Sequence, residues 1–400
     1  MKFALTKKGI LTMEKVRLGI IGIGNMGTSH SQRLASGQVP EIELAAVADH
    51  KESRRQWAKE NLPASVQIFE DGEALIADAD IDAVLVATPH YDHPRLVIMA
   101  LEKGLHVISE KPAGVYTKQV REMNEAAANS DKTFAMMFNQ RTNHIYRKMK
   151  ELVDSGEYGN IKRVNWIITN WYRTQEYYNS GGWRATWDGE GGGVLLNQCP
   201  HNLDLLQWIC GMPARVQAFC HNGKWHDIEV EDDVTAYLEF ANGATGVFVT
   251  TTADAPGTNR FEITLDKGKI ICDGETITLY ELDVNEREYC YDPRYTFGGP
   301  SGKWVPLETD GKNPQHNGVL EAFAAHILHG APLVAGGEEG INSLMLSNAM
   351  HLSSWLGQMV SLPIDEDLFL EKLNELRATT KEKTNVTEVT LDTNGTYGSK

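Results

Sequence analysis

From Val16 to Phe138 the chain repeats one pattern: a short aliphatic or β-branched run, then a stretch with apolar residues at helical spacing. The runs are VRLGIIG, IELAAVAD, VQIF, DAVLVAT, LHVISE and TFAMMF, and the stretches between them include KESRRQWAKEN and HPRLVIMALEKG. Strands this apolar on both faces must be buried between helical layers, so the alternation predicts a parallel, doubly wound sheet. After an amphipathic helix at about 143–154 the pattern changes to alternating strands, IKRVNWIITNWYR, DVTAYLEF, TGVFVTTT and RFEITLD. These predict a large, mainly antiparallel open sheet. The fold class is α/β, with a dinucleotide-type domain over 14–138 and a second α/β domain over 139–378. Two late helices, HNGVLEAFAAHILHG and EGINSLMLSNAMHLSSWLG, are expected to cover one face of the second sheet. Residues 1–13 and 379–400 read as terminal extensions, the latter polar and frayed.

A length of 400 residues suits two cores. The net charge of -16 opposes nucleic acid and anionic lipid, which are bound chiefly through Lys and Arg. No apolar run approaches the roughly 20 residues of a membrane span. The five cysteines, at 199, 210, 220, 272 and 290, lack the paired spacing of a metal or redox site, so reduced, mostly buried thiols and no metal are expected. With no recognisable secretory signal, the expected location is cytoplasmic.

The first strand runs directly into GIGNMG, which places Gly22, Gly24 and Gly27 around Asn25 and Met26 at a strand-to-helix turn. This is the Rossmann dinucleotide fingerprint: a tight turn, a close backbone approach to pyrophosphate, and close packing at the helix start. Asp49 ends the second strand at the distance where a carboxylate meets ribose hydroxyls, which favours NAD over NADP. Arg54 and Arg55 are close enough to meet a 2′-phosphate, although solvated helix arginines are ordinary. Thr88 and Pro89, at the carboxyl end of a later strand, are expected to flank the cofactor.

GIGNMG, VATPHYDHP, HVISEKPAG and GGGVLLNQCPHNLD, in this order, resemble the glucose-fructose oxidoreductase, inositol dehydrogenase and rhizopine-catabolism (Gfo/Idh/MocA) family over about 16–363. The resemblance implies NAD(P)-dependent redox chemistry on a secondary alcohol of a sugar or cyclitol, and homo-oligomers assembled through the open sheet. It assigns Lys111, in EKP, to the substrate hydroxyl and His201, in PHNLD, to acid/base work. Both suit those roles: a histidine near its ordinary pKa of about 6.5 accepts an alcohol proton, and an ammonium stabilises the developing alkoxide. His93 and Glu110 are expected on the cofactor side, with a structural ion pair as the alternative for Glu110. Pro112 is a candidate for a cis peptide.

Many members of that family carry aspartate where this chain has Asn197, so Asn197 and Gln198 are expected to position substrate by hydrogen bonding rather than charge. A flexible glycine run, 191–193, would deliver both residues and His201 to the start of one helix. Aromatic residues crowd 166–187, and Tyr178, Trp183 and Arg184 are candidates for sugar contact, although such residues also fill sheets and interfaces. His316 either enters the cleft or stays exposed beside a helix capped by Asn313. The expected activity is oxidation of a ring hydroxyl, at C3 of a glycoside, with transfer to NAD. The alternatives are an NAD-dependent glycosidase working through transient C3 oxidation and elimination, and a non-catalytic sugar or nucleotide sensor.

Overall fold

The computed structural model describes residues 3–5 and 11–387. Parts of the terminal extensions, residues 1–2, 6–10 and 388–400, lie outside the described residues. Six parallel strands form the first sheet in the spatial order Gln67–Phe69, Ile42–Ala48, Val16–Ile21, Ala83–Val86, His106–Ser109, Phe134–Met136. This is the doubly wound arrangement the alternation predicts. The order reverses at Val16–Ile21, whose carboxyl end therefore opens into a crevice between neighbouring crossovers.

The second sheet has nine strands, with Ile161–Ile168 near its middle. Its pairings are antiparallel except for Ile161–Ile168 against Thr245–Thr251. Along Ile161–Ile168, Val164, Trp166 and Ile168 are buried while Ile167 is exposed, so one face is covered and the other open. Trp166 stacks on Phe261 with ring centroids 4.2 Å apart on the covered face. On the open face Phe219 and Tyr237 join Ile167 as exposed apolar side chains.

The two late helices separate. Gly340–Leu356 packs against the second-sheet strand Arg215–Asn222 and the helix Pro200–Cys210, as expected. Gln315–His329 instead returns to the first domain, where Val319, Leu320, Phe323 and Ala324 join a core with Leu18, Ile20, Val47 and Leu85. Its apolar stripe shows that it must bury one face but not which sheet receives it. The first domain therefore includes a helix outside 14–138.

The polar tail is not frayed up to residue 387. Thr387 N–H donates to Asn179 O at 2.9 Å, Lys381 N–H donates to Glu229 at 2.7 Å, and Lys383 Nζ donates to Tyr178 O at 2.9 Å. These bonds pin the tail along the outside of the 178–188 segment. The cysteines are free thiols, with Cys199 and Cys272 buried and Cys290 exposed. Among the described residues no helix is long and apolar enough to cross a membrane.

Candidate active site

A cavity of about 1110 Å³ runs from the first-sheet crevice to the front of the second domain. At one end the glycine turn has the shape a pyrophosphate needs. Gly22 has φ +85, and a Cβ there would lie 2.8 Å from Ala87 O; a Cβ on Gly27 would lie 1.9 Å from Gly22 O. Both positions need glycine for packing. A Cβ on Gly24 meets nothing within 4 Å, so the backbone there faces open space along the cavity, where a ligand can approach it. Asn25 and Met26 line the same wall.

Asp49 is held at the cavity edge by two backbone donors, Ile23 N–H and Lys51 N–H, each at 2.9 Å. Both arginines are committed nearby: Arg54 Nε donates to Ile23 O at 2.7 Å, and Arg55 Nη1 donates to Asp49 O and His50 O at 2.8 Å. Farther in, Thr88 and Pro89 line the wall, and the buried Thr88 hydroxyl has no hydrogen-bond partner among the described residues. His93 lies 2.8 Å from both Thr88 O and Pro112 O and so ties these two turns together. Burial lowers its pKa against the pull of those carbonyls. The Lys111–Pro112 peptide is cis.

Glu110 is buried beneath the same turn. Burial alone would raise its carboxyl, but the hydrogen bond and charge of His30, 2.8 Å away, hold it at about 2. His316 is neither in the cavity lining nor exposed. It is 3% exposed, with its ring 5.3 Å from that of His30, and burial pushes its pKa down to about 3. Pro314, not Asn313, occupies the cap position, and His316 in the first turn is turned inward against His30. Among the described residues, His30, Glu110 and His316 form one trio whose ligand-type atoms lie within 4.8 Å of one another. Glu110 already bonds His30 through one oxygen and accepts the Lys111 amide N–H through the other, at 3.2 Å.

The glycine run is closely packed and tied by hydrogen bonds. A Cβ on Gly193 would lie 2.0 Å from Glu231 O, and the buried Glu231 carboxylate accepts the N–H groups of Gly193 at 2.9 Å and Leu195 at 3.0 Å. Asn197 and Gln198 sit on the turn that follows, ahead of the helix Pro200–Cys210, and His201 is in its first turn. That helix is fixed by a buried pair in which Arg141 donates to both oxygens of Asp204, at 2.7 and 2.8 Å. Lys111, Asn197, Gln198 and His201 thereby face the same cavity, and Lys111 Nζ donates to Asn197 O at 2.9 Å.

His201 is 2% exposed, and burial, then the nearby Lys111 charge, hold its pKa well below the ordinary histidine value. It is a neutral imidazole at neutral pH, able to accept a proton. Burial also lowers the Lys111 ammonium, while the carboxylates of Glu110 and Glu190 oppose that shift. The chemistry this arrangement can perform is proton transfer and alkoxide stabilisation at one point.

On the far wall the neighbouring tyrosines exchange the expected role. Tyr178 is buried with its hydroxyl 2.7 Å from Thr252 Oγ1 and does not line the cavity, whereas Tyr177 does. Adjacent residues on the short helix Gln175–Asn179 point about 100° apart, so only one can face the cleft. The Tyr177 hydroxyl accepts from Arg184 Nη1 at 2.8 Å and from Gln198 Nε2 at 3.2 Å. Gln198 Oε1 is buried without a partner among the described residues, an acceptor left for a ligand. Trp183 and Arg184 line the wall, and the guanidinium lies 4.8 Å from the indole centre. Sequence reasoning missed Tyr177, His90 and Glu190. For Glu190 the only sequence signal was its place directly before the glycine run.

Residues 16–138 match a family model described as an oxidoreductase family with an NAD-binding Rossmann fold, and residues 146–271 match a GFO/IDH/MocA C-terminal domain model. The myo-inositol 2-dehydrogenase of Thermotoga maritima is 26% identical over 340 residues, 84% of this chain and 95% of that one. The D-glucoside 3-dehydrogenase of Escherichia coli is 26% identical over 382 residues, 89% of this chain and 100% of that one. A crystal structure of the WlbA dehydrogenase from Chromobacterium violaceum, in complex with NADH and UDP-GlcNAcA, superposes with a TM-score of 0.75 at 27% identity, covering 88% of this chain and 97% of that one.

Proposed function

Since the chain belongs to the GFO/IDH/MocA oxidoreductase family and carries its NAD-binding Rossmann domain, we propose that it oxidises a secondary ring hydroxyl, at C3, of a sugar, glycoside or cyclitol. One observation carries the proposal: Lys111 from the first domain and His201 from the second face one cavity that also holds the Gly22–Gly27 turn. NAD, when bound there, supplies the nicotinamide that accepts hydride from the carbinol carbon.

The protein residues do the rest. His201 takes the hydroxyl proton, and the Lys111 ammonium donates a hydrogen bond to the oxygen as negative charge develops on it. Gln198 Oε1 and Asn197 orient neighbouring hydroxyls, while Trp183 and Tyr177 offer flat apolar faces to the ring. The relatives named for inositol and D-glucoside substrates support this substrate class, and the second supports position 3. Asp49 favours NAD because a 2′-phosphate would meet its carboxylate. The open sheet face bearing Ile167, Phe219 and Tyr237 is covered by a second copy of the chain.

The test is a panel of glucosides, free sugars and inositols with NAD or NADP, followed by product NMR. The proposal requires NADH formed stoichiometrically with a 3-keto product. Turnover without net NADH would replace it with a closed redox cycle, and NADH formation with ketone at another carbon would remove the position assignment.

A further inference from the structure

The wall behind Asn197 holds a carboxylate that proton transfer at Lys111 and His201 does not use. Glu190 is 1% exposed. Its carboxylate accepts the amide N–H of Ala185 through Oε2 and the side-chain Nδ2 of Asn197 through Oε1. Arg184 Nη1 lies 3.8 Å from Oε1, and Lys111 and Lys383 are within its electrostatic reach. The backbone carbonyl of the same residue accepts from His90 Nδ1 at 3.1 Å, which anchors Glu190 to the 3-10 turn His90–Asp92 of the first domain. Burial raises the carboxyl pKa, while Arg184, Ala185 N–H and the Asn197 amide favour the anion.

Both oxygens of Glu190 act as acceptors, Oε2 from the Ala185 N–H and Oε1 from the Asn197 amide nitrogen. That fixes the amide orientation. Asn197 Oδ1 is turned to the other side, 3.5 Å from the Tyr177 hydroxyl. Lys111 Nζ and Glu190 Oε1 both bond Asn197, and the charges of Glu110, Arg173 and Arg184 also act on Lys111. Removing one carboxylate tips that balance toward positive.

We propose that Glu190 is the positioning carboxylate of this cleft: it holds the Asn197 amide with its oxygen presented as an acceptor to a substrate hydroxyl, and its charge acts on Lys111, which bonds the same residue through the Asn197 carbonyl. The inference rests on the dehydrogenase reading for the first role only.

Glu190→Gln keeps the shape, removes the charge and frees the Asn197 amide to turn over. The expected result is a loss in kcat/KM of about ten- to hundredfold, the span of one charge-assisted hydrogen bond, with NADH affinity retained. Adding Asn197→Asp to Glu190→Gln restores a carboxylate to the same corner and recovers part of that loss, whereas Asn197→Asp alone sets two carboxylates together and lowers turnover. A second readout needs no substrate: 13Cε NMR titration of Lys111 in the NADH-bound protein, assigned with Lys111→Arg. Lys111 titrates at lower pH in Glu190→Gln and moves back up in the double variant. If Glu190→Gln does not fold, Asn197→Ala carries the test and must lower kcat/KM by a comparable factor. Unchanged Lys111 titration and unchanged kcat/KM in Glu190→Gln, or unchanged turnover in Asn197→Ala, overturn the proposal. A wild-type protein that oxidises no sugar overturns the dehydrogenase reading instead, while the NMR titration still decides whether Glu190 sets the Lys111 charge.

Discussion

Lys111 reaches across the domain boundary and donates its ammonium proton to the backbone carbonyl of Asn197 at 2.9 Å. The bond joins a turn anchored by the buried Glu110 and by His93 on Pro112 O to a turn anchored by Glu231. Two independently anchored segments therefore meet at one nitrogen. A substrate hydroxyl arriving there would share or replace the carbonyl as acceptor.

Lys111→Ala should lower kcat about a hundred- to a thousandfold, the usual loss when a donor to a developing oxyanion is removed. NADH affinity, followed by fluorescence, should persist because the glycine turn is untouched. Equal loss of NADH binding would instead make Lys111 a structural element of the nucleotide domain.

In the proposed reaction, protonation of His201 removes the base for alcohol oxidation, so activity should fall on the acid side. Its pKa lies well below the ordinary value because the ring is buried beside Lys111. The acid limb of kcat/KM should therefore appear below pH 6.5, roughly the midpoint of an unperturbed histidine. His201→Asn should lower the rate by about a hundredfold or more and abolish that limb. A limb that stays in place in the variant would assign it to another group.

Tyr177→Phe and Tyr178→Phe should behave differently despite their adjacency. The first removes the hydroxyl that accepts from Arg184 and Gln198, and should raise the KM for the sugar by about fivefold with little change in Tm. The second leaves Thr252 unpaired in the core and should cost about 1–3 kcal/mol of stability with kinetics unchanged. Denaturant melts and initial rates on the same samples separate the two.

These tyrosines also show how far the sequence could be read. GIGNMG was legible because its chemistry is local: Gly27 packs on Gly22, Gly22 packs on Ala87 at the end of the neighbouring strand, and Gly24 leaves the backbone between them open to a ligand. Lys111 and His201 were legible because short motifs place them at strand and helix ends. The choice between Tyr177 and Tyr178 depends on where Thr174 caps a five-residue helix, which the spacing of aromatic residues does not encode. Glu190 reads in sequence as an ordinary polar residue in a glycine-rich turn. Its importance arises from burial against Ala185 and Asn197, contacts that exist only after folding. Helix 315–329 shows the same limit at a larger scale, since its apolar face fits either sheet.

Gly24→Ala and Gly27→Ala should separate ligand binding from folding. The added methyl at Gly24 points into open cavity, so the protein should fold normally and bind NADH more weakly. The methyl at Gly27 would sit 1.9 Å from Gly22 O, so that variant should lose thermal stability even before nucleotide is added. Thermal melts with and without NADH distinguish these outcomes.

Phe219→Asp combined with Tyr237→Asp places two charges on the open sheet face, where Phe219 is 57% exposed. If a second copy covers that face, light scattering after size-exclusion should report a smaller assembly for the double variant than for the wild type. An identical mass for both proteins would remove the face from the interface.

The return of helix 315–329 to the first sheet has a consequence for modularity. The nucleotide domain is discontinuous in the gene: its last strand is Phe134–Met136, and its rear wall is the far later helix Gln315–His329. A fragment ending at Phe138 would leave Leu18, Ile20, Val47 and Leu85 without the side chains that roof them. Such a fragment could not be exchanged between proteins as a cassette. Any graft that preserves the cofactor site must carry both the 16–138 segment and helix 315–329, and the second sheet lies between them.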